Sequence, residues 1–292
     1  MQKSRFYLPI VRRLGTSRFT QPLLIPRHWQ VNLFAWSMAL AIVGGLQVQR
    51  VSADSPDTAP AALKNVLAQI DTAANNRNLR EVLGFYSPNF THSDGLTPKM
   101  MEQSLSQLWQ RYANLKYQTE LVSWKAEGNG IVAETVTRLT GTQKVGDRTF
   151  TLTSELRAQQ RFEGQKIVQQ RVLGERSKIT SGDKPPTVLL TLPDQVKAGQ
   201  EFAFDAIVQE PLGEDLLLGA ALEEPIKPSG YMNPTAVSLE PLSAGGIFKL
   251  GRAPTQPDNR WISAVIVRHD GMTMITQRLQ VVDRNQPAKT TN

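Results

Sequence analysis

The chain has 292 residues and no cysteine, which excludes disulfides, thiolate metal sites and cysteine nucleophiles. Its formal net charge is +7, and this excess lies entirely in residues 1–53, which contain basic side chains but no acidic one. After residue 53 the basic residues only balance the 26 acidic residues. The folded part therefore lacks the basic excess that binding to phosphate backbones requires, and the sequence predicts no nucleic-acid partner.

Residues 1–53 are predicted to direct the chain out of the cytoplasm. Residues 31–48 form an apolar run without a charge, basic residues precede it, and Val51-Ser52-Ala53 offers the small side chains that signal peptidase reads. The run is at the lower limit for a membrane span. The leader is thus either a signal peptide cleaved near Ala53 or an uncleaved single-span anchor. Both alternatives place the rest of the chain in the periplasm, outside the cell or on the outer side of the membrane.

Residues 58–180 are predicted to form a first domain, which begins with helices after a linker at 54–60. Apolar residues recur at helical spacing from Leu63 to Ala74, and a capping box at Asn78–Glu81 starts a second, short helix. The segment SPNFTHSDG is expected to be a loop. Thr97-Pro98 then starts a third helix, which carries an apolar stripe.

The rest of this domain is predicted to be strands. Segments 117–124 and 131–142 come first, and a long hairpin at Thr149–Arg176 follows, with its turn at Glu163-Gly164-Gln165. The second arm of the hairpin does not alternate cleanly, so either both its faces are covered or a bulge shifts its register. The expected fold class is α+β, a cone of helices on one face of a curved antiparallel sheet.

Phe85-Tyr86-Ser87-Pro88-Asn89-Phe90, together with the order of helices and strands over 58–180, resembles the nuclear-transport-factor-2-like superfamily. That superfamily includes polyketide cyclases and ketosteroid isomerases, and it contains enzymes, binding proteins and assembly modules. The resemblance implies a cone that often encloses a pocket and often dimerises through its sheet.

The residues predicted to line this pocket are Tyr86, His92, Asp94, Trp109 and Tyr112. His92 or Asp94 could act as a base and a tyrosine as a hydrogen-bond donor, as isomerase chemistry requires. Each also has a structural interpretation, because the tyrosines fit core positions and Asp94-Gly95 fits a turn. We therefore assign no catalytic residue. No set of residues predicts a metal site or a cofactor.

Residues 187–284, after a linker at 181–186, are predicted to form a second domain with short strands and regular turns. The spacing favours an all-β sandwich with immunoglobulin-like architecture. Residues 285–292 are expected to be a disordered tail.

Three functions fit these patterns. The first is a non-enzymatic binding or interaction protein of the bacterial cell envelope, which binds a protein partner or a small apolar ligand. The second is an exported isomerase, cyclase or hydrolase that acts on a small molecule through acid–base residues in the cone. The third is a homodimer whose sheet faces pair and leave no open pocket.

Overall fold

The computed structural model describes residues 53–213, 215–231, 235–242 and 244–285, which belong to one compact unit. The leader and the end of the predicted tail lie outside the described residues. Within the described part there are three α-helices: α1 (Ala61–Asn75), α2 (Leu79–Gly84) and α3 (Pro98–Arg111). No helix in these ranges is long and apolar enough to cross a bilayer.

The strands of the described residues form two sheets. Their bounds are β1 (Tyr86–His92), β2 (Lys116–Glu127), β3 (Gly130–Val145), β4 (Arg148–Glu163), β5 (Lys166–Gly182), β6 (Val188–Thr191), β7 (Gln195–Lys197), β8 (Glu201–Val208), β9 (Leu218–Pro225), β10 (Glu240–Pro241), β11 (Gly246–Arg252), β12 (Asn259–Arg268) and β13 (Gly271–Val282). The large sheet has the order β10-β9-β12-β13-β5-β4-β3-β2, with β1 paired to β5 and β7 paired to β13. The small sheet has the order β11-β8-β6.

The predicted fold class, an α+β cone followed by a separate all-β sandwich, is wrong. Strands make up most of the described chain, and β13 pairs with β5 from Gln277↔Arg176 to Gly271↔Gly182. This pairing joins the strands of both predicted domains into a single ten-stranded sheet. Ser181 and Gly182, which the sequence assigns to a linker, are the end of β5.

Local patterns predicted most of the individual elements. The hairpin β4–β5 is confirmed, and its irregular second arm is explained by register shifts at Arg157/Ala158 and Arg161/Phe162. The caps of α2 and α3 are also confirmed, because Asn78 accepts from the Glu81 backbone and Thr97 accepts from the Met100 backbone.

The expected loop SPNFTHSDG is wrong over most of its length. Residues 86–92 form β1, which runs parallel to β5 with Tyr86 opposite Ile167 and His92 opposite Gln170. The predicted linker at 54–60 is also ordered, since Asp54 bridges to Trp124 and a 3-10 helix covers Pro56–Thr58.

Two apolar cores lie on opposite faces of the large sheet, one against β2–β5 and the other against β12 and β13. On the inner face of β2–β5, the three helices and β1 bury apolar side chains against residues such as Ala133, Phe162 and Ile167. On the other face, β12 and β13 pack against the small sheet, where Phe204 and Ala206 meet Ile266 and Leu279. Apolar burial on both faces of the joined sheet supplies most of the favourable free energy of folding.

Candidate functional site

The site lies where two strands meet the same edge of β5. The last pairing of β1 with β5 is at Gln170, and the pairing of β13 begins at Arg176. Side chains bridge the gap between them: Ser93 Oγ accepts from the Val172 backbone at 3.1 Å, and Gln280 Nε2 donates to the Leu173 carbonyl at 2.5 Å. Asp94 enters this gap from the end of β1, and Arg278 enters it from β13.

Asp94 forms a two-point ion pair with Arg278. Nη1 of Arg278 donates to Oδ1 at 3.0 Å and Nη2 donates to Oδ2 at 2.7 Å. Tyr231 donates its hydroxyl to Oδ2 at 2.5 Å, and Ser93 donates to Oδ1 at 3.2 Å. Each carboxylate oxygen therefore accepts two hydrogen bonds, which accounts for its usual capacity.

Arg278 also reaches two further groups. Its Nη2 lies 3.2 Å from Oε2 of Glu175 and 3.2 Å from the hydroxyl of Tyr231. Trp261 donates Nε1 to the same Glu175 oxygen at 3.0 Å and stacks edge-on against Tyr231, with ring centroids 4.8 Å apart. Asp94, Glu175, Tyr231, Trp261 and Arg278 thus form one cluster, which we call the Arg278 cluster.

The Arg278 cluster is closed to solvent on most sides. The side chains of Arg278 and Asp94 are 0% and 1% exposed, whereas that of Glu175 is 23% exposed. Nε of Arg278 has no acceptor among the described residues. Charges buried this deeply are tolerated only when they are paired and hydrogen-bonded.

The surroundings keep both members of the ion pair charged. Burial opposes ionisation of Asp94, but the hydrogen bonds and charge of Arg278 outweigh it and hold the pKa below its ordinary 3.8. Burial also opposes the charge of Arg278, yet Asp94 and Glu175 raise its pKa. Burial raises the pKa of Tyr231, and the negative charge of Glu175 adds to that rise, so its hydroxyl stays protonated.

His92 adjoins the cluster and stays neutral. Its Nδ1 accepts from the Asp94 backbone at 3.1 Å, and its Nε2 lies 3.4 Å from the side-chain amide of Gln170. Gln170 is bonded in turn to Gln160, which Thr135 contacts. Burial lowers the pKa of His92 below 6.5, against the attraction of Asp94. A row of uncharged polar groups therefore extends from His92 across β5, β4 and β3.

The structure brings together two of the five predicted site residues, His92 and Asp94. Tyr86 packs edge-on against Phe90, with ring centroids 4.9 Å apart. Burial raises the pKa of Tyr86 to about 12. Trp109 and Tyr112 belong to another apolar cluster, at the ends of α1 and α3. Trp109 donates to the Tyr117 hydroxyl at 2.8 Å, as a packed structural side chain would.

Two clefts of the described part lie on the surface, outside the space between the helices and the sheet. One, of about 330 Å³, is lined by Ser93, Asp94, Ile226, Pro257, Asp258, Asn259 and Val281. The other, of about 230 Å³, is lined by Lys125, Glu127, Val132, Gln159, Arg161, Gln169 and Arg171. The predicted pocket residues Tyr86, Trp109 and Tyr112 line neither of them.

Four members of the Arg278 cluster carry no signal in the sequence that would have assigned them to a site. Arg278 stands in a strand between Gln277 and Leu279, and a single arginine there carries no sign of burial. Glu175 lies in a strand and Tyr231 in a 3-10 helix, and neither position belongs to a motif. Trp261 gives no local sign of its role either, because its indole hydrogen bond depends on a contact across 86 positions of sequence.

This arrangement suits structure better than proton transfer. A carboxylate with lowered pKa and saturated oxygens is a weak base, and the neighbouring tyrosine keeps its proton. Among the described residues no three His, Asp or Glu side chains converge as metal ligands. Arg278 supplies the positive charge at the centre of the cluster.

Comparison with known proteins places a family match on the second part of the chain. A model described as "Domain of unknown function (DUF8623)" matches residues 183–282, the range that contributes Tyr231, Trp261 and Arg278. No curated protein matches this sequence.

Several solved structures match part of the chain. Bd1075 of Bdellovibrio bacteriovorus is 15% identical, with 38% of each chain covered and a TM-score of 0.28. An LEH-like epoxide hydrolase of M. tuberculosis is 11% identical, over 39% of this chain and 84% of that one, with a TM-score of 0.28.

A protein with a ketosteroid isomerase-like fold from Catenulispora acidiphila, in complex with trimethylamine, is 13% identical over 41% of this chain and 85% of that one, with a TM-score of 0.28. A protein with a ketosteroid isomerase-like fold is thus among the structural neighbours. Similarities of this size assign neither a fold nor an activity to this chain, and none of these comparisons bears on the predicted immunoglobulin-like architecture.

Proposed function

We propose that this chain is a non-enzymatic interaction protein of the bacterial cell envelope, exported or held at the membrane by residues 1–53. The apolar run at 31–48, the basic residues before it and the small residues at 51–53 support export. The charge balance of the remaining chain supports a partner other than nucleic acid.

The saturation of Asp94 is the observation that carries the non-enzymatic part of this proposal. Asp94 is one of the two residues predicted as a base. Arg278, Tyr231 and Ser93 donate hydrogen bonds to both of its carboxylate oxygens. A general base near neutral pH needs a free lone pair and a raised pKa, whereas Asp94 has neither. A protein partner is favoured over a small apolar ligand, because side chains such as Phe90, Trp109 and Tyr112 fill the space beneath the helices.

The acid–base enzyme remains the second candidate, and one observation favours it. His92 and Asp94 are both buried side by side, as a catalytic pair in a protected site would be. The two proposals differ in what Asp94 does, so they differ in what its substitution changes.

A turnover assay separates the two functions. The full-length chain in detergent is incubated with a panel of ketones, lactones and epoxides, beside Asp94→Asn and His92→Gln variants whose folding is checked by circular dichroism. We expect no turnover above that of the detergent buffer. Turnover by the wild-type chain that a folded Asp94→Asn or His92→Gln variant loses would refute the non-enzymatic proposal.

A second experiment tests the location. The protein is recovered from the membrane fraction and from the supernatant of the cells that produce it, and each N-terminus is sequenced. An anchored protein keeps residues 31–48 and stays with the membrane, whereas a cleaved one begins near Asp54. Recovery in the cytoplasm with Met1 still attached would contradict export in either form.

A further inference from the structure

The solvent side of strands β2–β5 is a broad, polar sheet face. Its side chains follow the register of the three hairpins, in which Lys116, Arg138, Glu155 and Arg176 lie on neighbouring strands with the same orientation. Their residues are all exposed. We call this surface the outer face, because the helices pack on the opposite side.

Basic side chains outnumber acidic ones on the outer face. The basic residues are Lys116, Lys125, Arg138, Lys144, Arg157, Arg161, Arg171, Arg176 and Lys178, and the acidic residues are Glu120, Glu127, Glu134, Glu155 and Glu163. The chain after residue 53 is formally neutral as a whole. The outer face is therefore a positive region on a molecule whose remaining surface is net negative.

The acidic side chains of the outer face already have partners. Arg138 pairs with Glu120 at 2.8 Å and with Glu155 at 3.2 Å, and Arg157 pairs with Glu134. Arg161 pairs with Glu127 at 3.0 Å and with Glu163 at 3.3 Å. The positive excess is thus carried by other residues.

Three of those residues lie in a row on β5. Arg171, Arg176 and Lys178 are exposed, and none is within ion-pair distance of a carboxylate among the described residues. Arg171 donates a hydrogen bond to the side-chain oxygen of Gln159 at 3.1 Å. At the rise of a strand, Arg171 and Arg176 are roughly 16 Å apart. We call these three residues the β5 basic row.

One end of the row opens into the 230 Å³ cleft, which Gln159, Gln169 and Arg171 help to line. Lys125, Arg161 and Glu127 also line this cleft, and both cations are paired with Glu127. Glutamine side chains can both donate to and accept from a peptide backbone. The cleft therefore offers hydrogen bonds beside the charge of Arg171.

We propose that the β5 basic row binds an extended acidic segment of a protein partner, with carboxylates spaced to meet Arg171, Arg176 and Lys178. Arginine matches a carboxylate with two parallel hydrogen bonds, and the uncovered row lies along one strand, as an extended peptide would. This inference rests on the proposed function as an interaction protein and names the partner's chemistry.

Discrete carboxylates fit this face better than a continuous anionic surface does. Glu127, Glu155 and Glu163 lie among the cations and would repel the closely spaced phosphates of a membrane or of polyphosphate. A peptide can place its acidic residues over the row and neutral residues over the glutamates.

Fluorescence anisotropy with the full-length chain in detergent tests the proposal. The probe is a fluorescein-labelled peptide that carries three glutamates at the spacing of Arg171, Arg176 and Lys178 in a serine and threonine background. The same peptide with glutamines is the neutral control. The test variant is Arg171→Gln/Arg176→Gln/Lys178→Gln. The control variant, Arg80→Gln/Lys99→Gln/Arg111→Gln, removes the same charge from exposed helix positions.

We expect the glutamate peptide to bind the wild-type chain and the control variant alike, and to bind the test variant about tenfold more weakly. Equal binding to both variants, or no binding of the glutamate peptide by the wild-type chain, would overturn the proposal. So would phosphatidylglycerol vesicles or polyphosphate binding through the row when the peptide does not. The turnover assay is independent: catalysis would overturn the proposed function, whereas failed peptide binding without catalysis overturns this inference alone.

Discussion

Arg278 lies in β13, and its side chain is fully buried. Removing such a charge from water costs several kcal/mol, and only good pairing offsets that cost. Asp94 provides two hydrogen bonds and Glu175 a further one. Because Asp94 follows the end of β1 and Glu175 lies in the middle of β5, the charge of Arg278 helps to specify how these strands meet β13.

Substitution of Arg278 by Met should be strongly destabilising. It leaves two carboxylates near each other without their cation, and we expect a loss of about 3–5 kcal/mol in the free energy of unfolding, measured with urea. Arg252→Met is the matched control, because Arg252 pairs with Glu201 at an exposed strand end, where the expected cost is below about 1 kcal/mol. Similar losses in the two variants would contradict a structural role for the Arg278 cluster.

Acid should destabilise the protein in two steps with the same sign. The pKa of His92 is lowered from 6.5 in the folded chain, so the unfolded chain takes up a proton first and stability falls as the pH drops below about 6.5. The pKa of Asp94 is lowered from 3.8, so its contribution is full above that pH and is lost only as the pH falls further.

The step at higher pH can be assigned by comparing urea unfolding at pH 7.5 and pH 5. His92→Gln should remove most of the difference in the free energy of unfolding between pH 7.5 and pH 5. An unchanged difference in His92→Gln would show that other groups cause it.

At the scale of elements, the junction of β5 with β13 depends on a glycine. Gly182 has φ +98°, and a Cβ there would lie 2.4 Å from the Asp270 carbonyl oxygen and 2.6 Å from Cα of Gly271. Both the backbone conformation and the space therefore require glycine at this position.

Gly182→Ala should cost about 3 kcal/mol, because left-handed backbone strain and a contact with backbone atoms act together. Gly146→Ala is the control: it also has positive φ, +57°, but no atom lies within 4 Å of its Cβ position. Its expected cost is about 1 kcal/mol, measured by the same urea unfolding. Equal costs would show that the backbone at the β5–β13 junction shifts to accommodate the added Cβ.

Elements with local signals were predictable from the sequence, whereas pairings between distant segments were not. The alternation of Leu152, Ala158 and Phe162 indicated β4, and Asn78 and Thr97 marked the starts of helices. Strand β1 was missed because Pro88 and Asn89 resemble a loop, and parallel pairing with β5 leaves no local pattern.

Only the site residues that are close together in sequence, His92 and Asp94, were predictable. His92 and Asp94 were chosen for their side-chain chemistry, and they do lie together. The partner that decides the role of Asp94, Arg278, is 184 positions away in sequence. Without that contact, Asp94 could equally be a base or a structural anion, and the sequence left both alternatives open.

At the scale of the whole molecule, the continuous sheet should unfold as one unit. We expect the unfolding curves of two single-tryptophan variants, one retaining Trp124 and the other Trp261, to coincide, because their strands belong to one sheet. Two transitions with different midpoints would instead indicate independent domains, as the sequence predicted for 58–180 and 187–284.

The titration of the Asp94 side-chain carboxyl carbon, followed by NMR in the folded protein, tests most directly whether this residue is a structural anion. A pKa below 3.8 in the wild-type chain agrees with an ion pair that holds the strands together. A pKa near neutrality would mean that Arg278 does not hold the carboxylate, and it would restore Asp94 as the base of an enzyme.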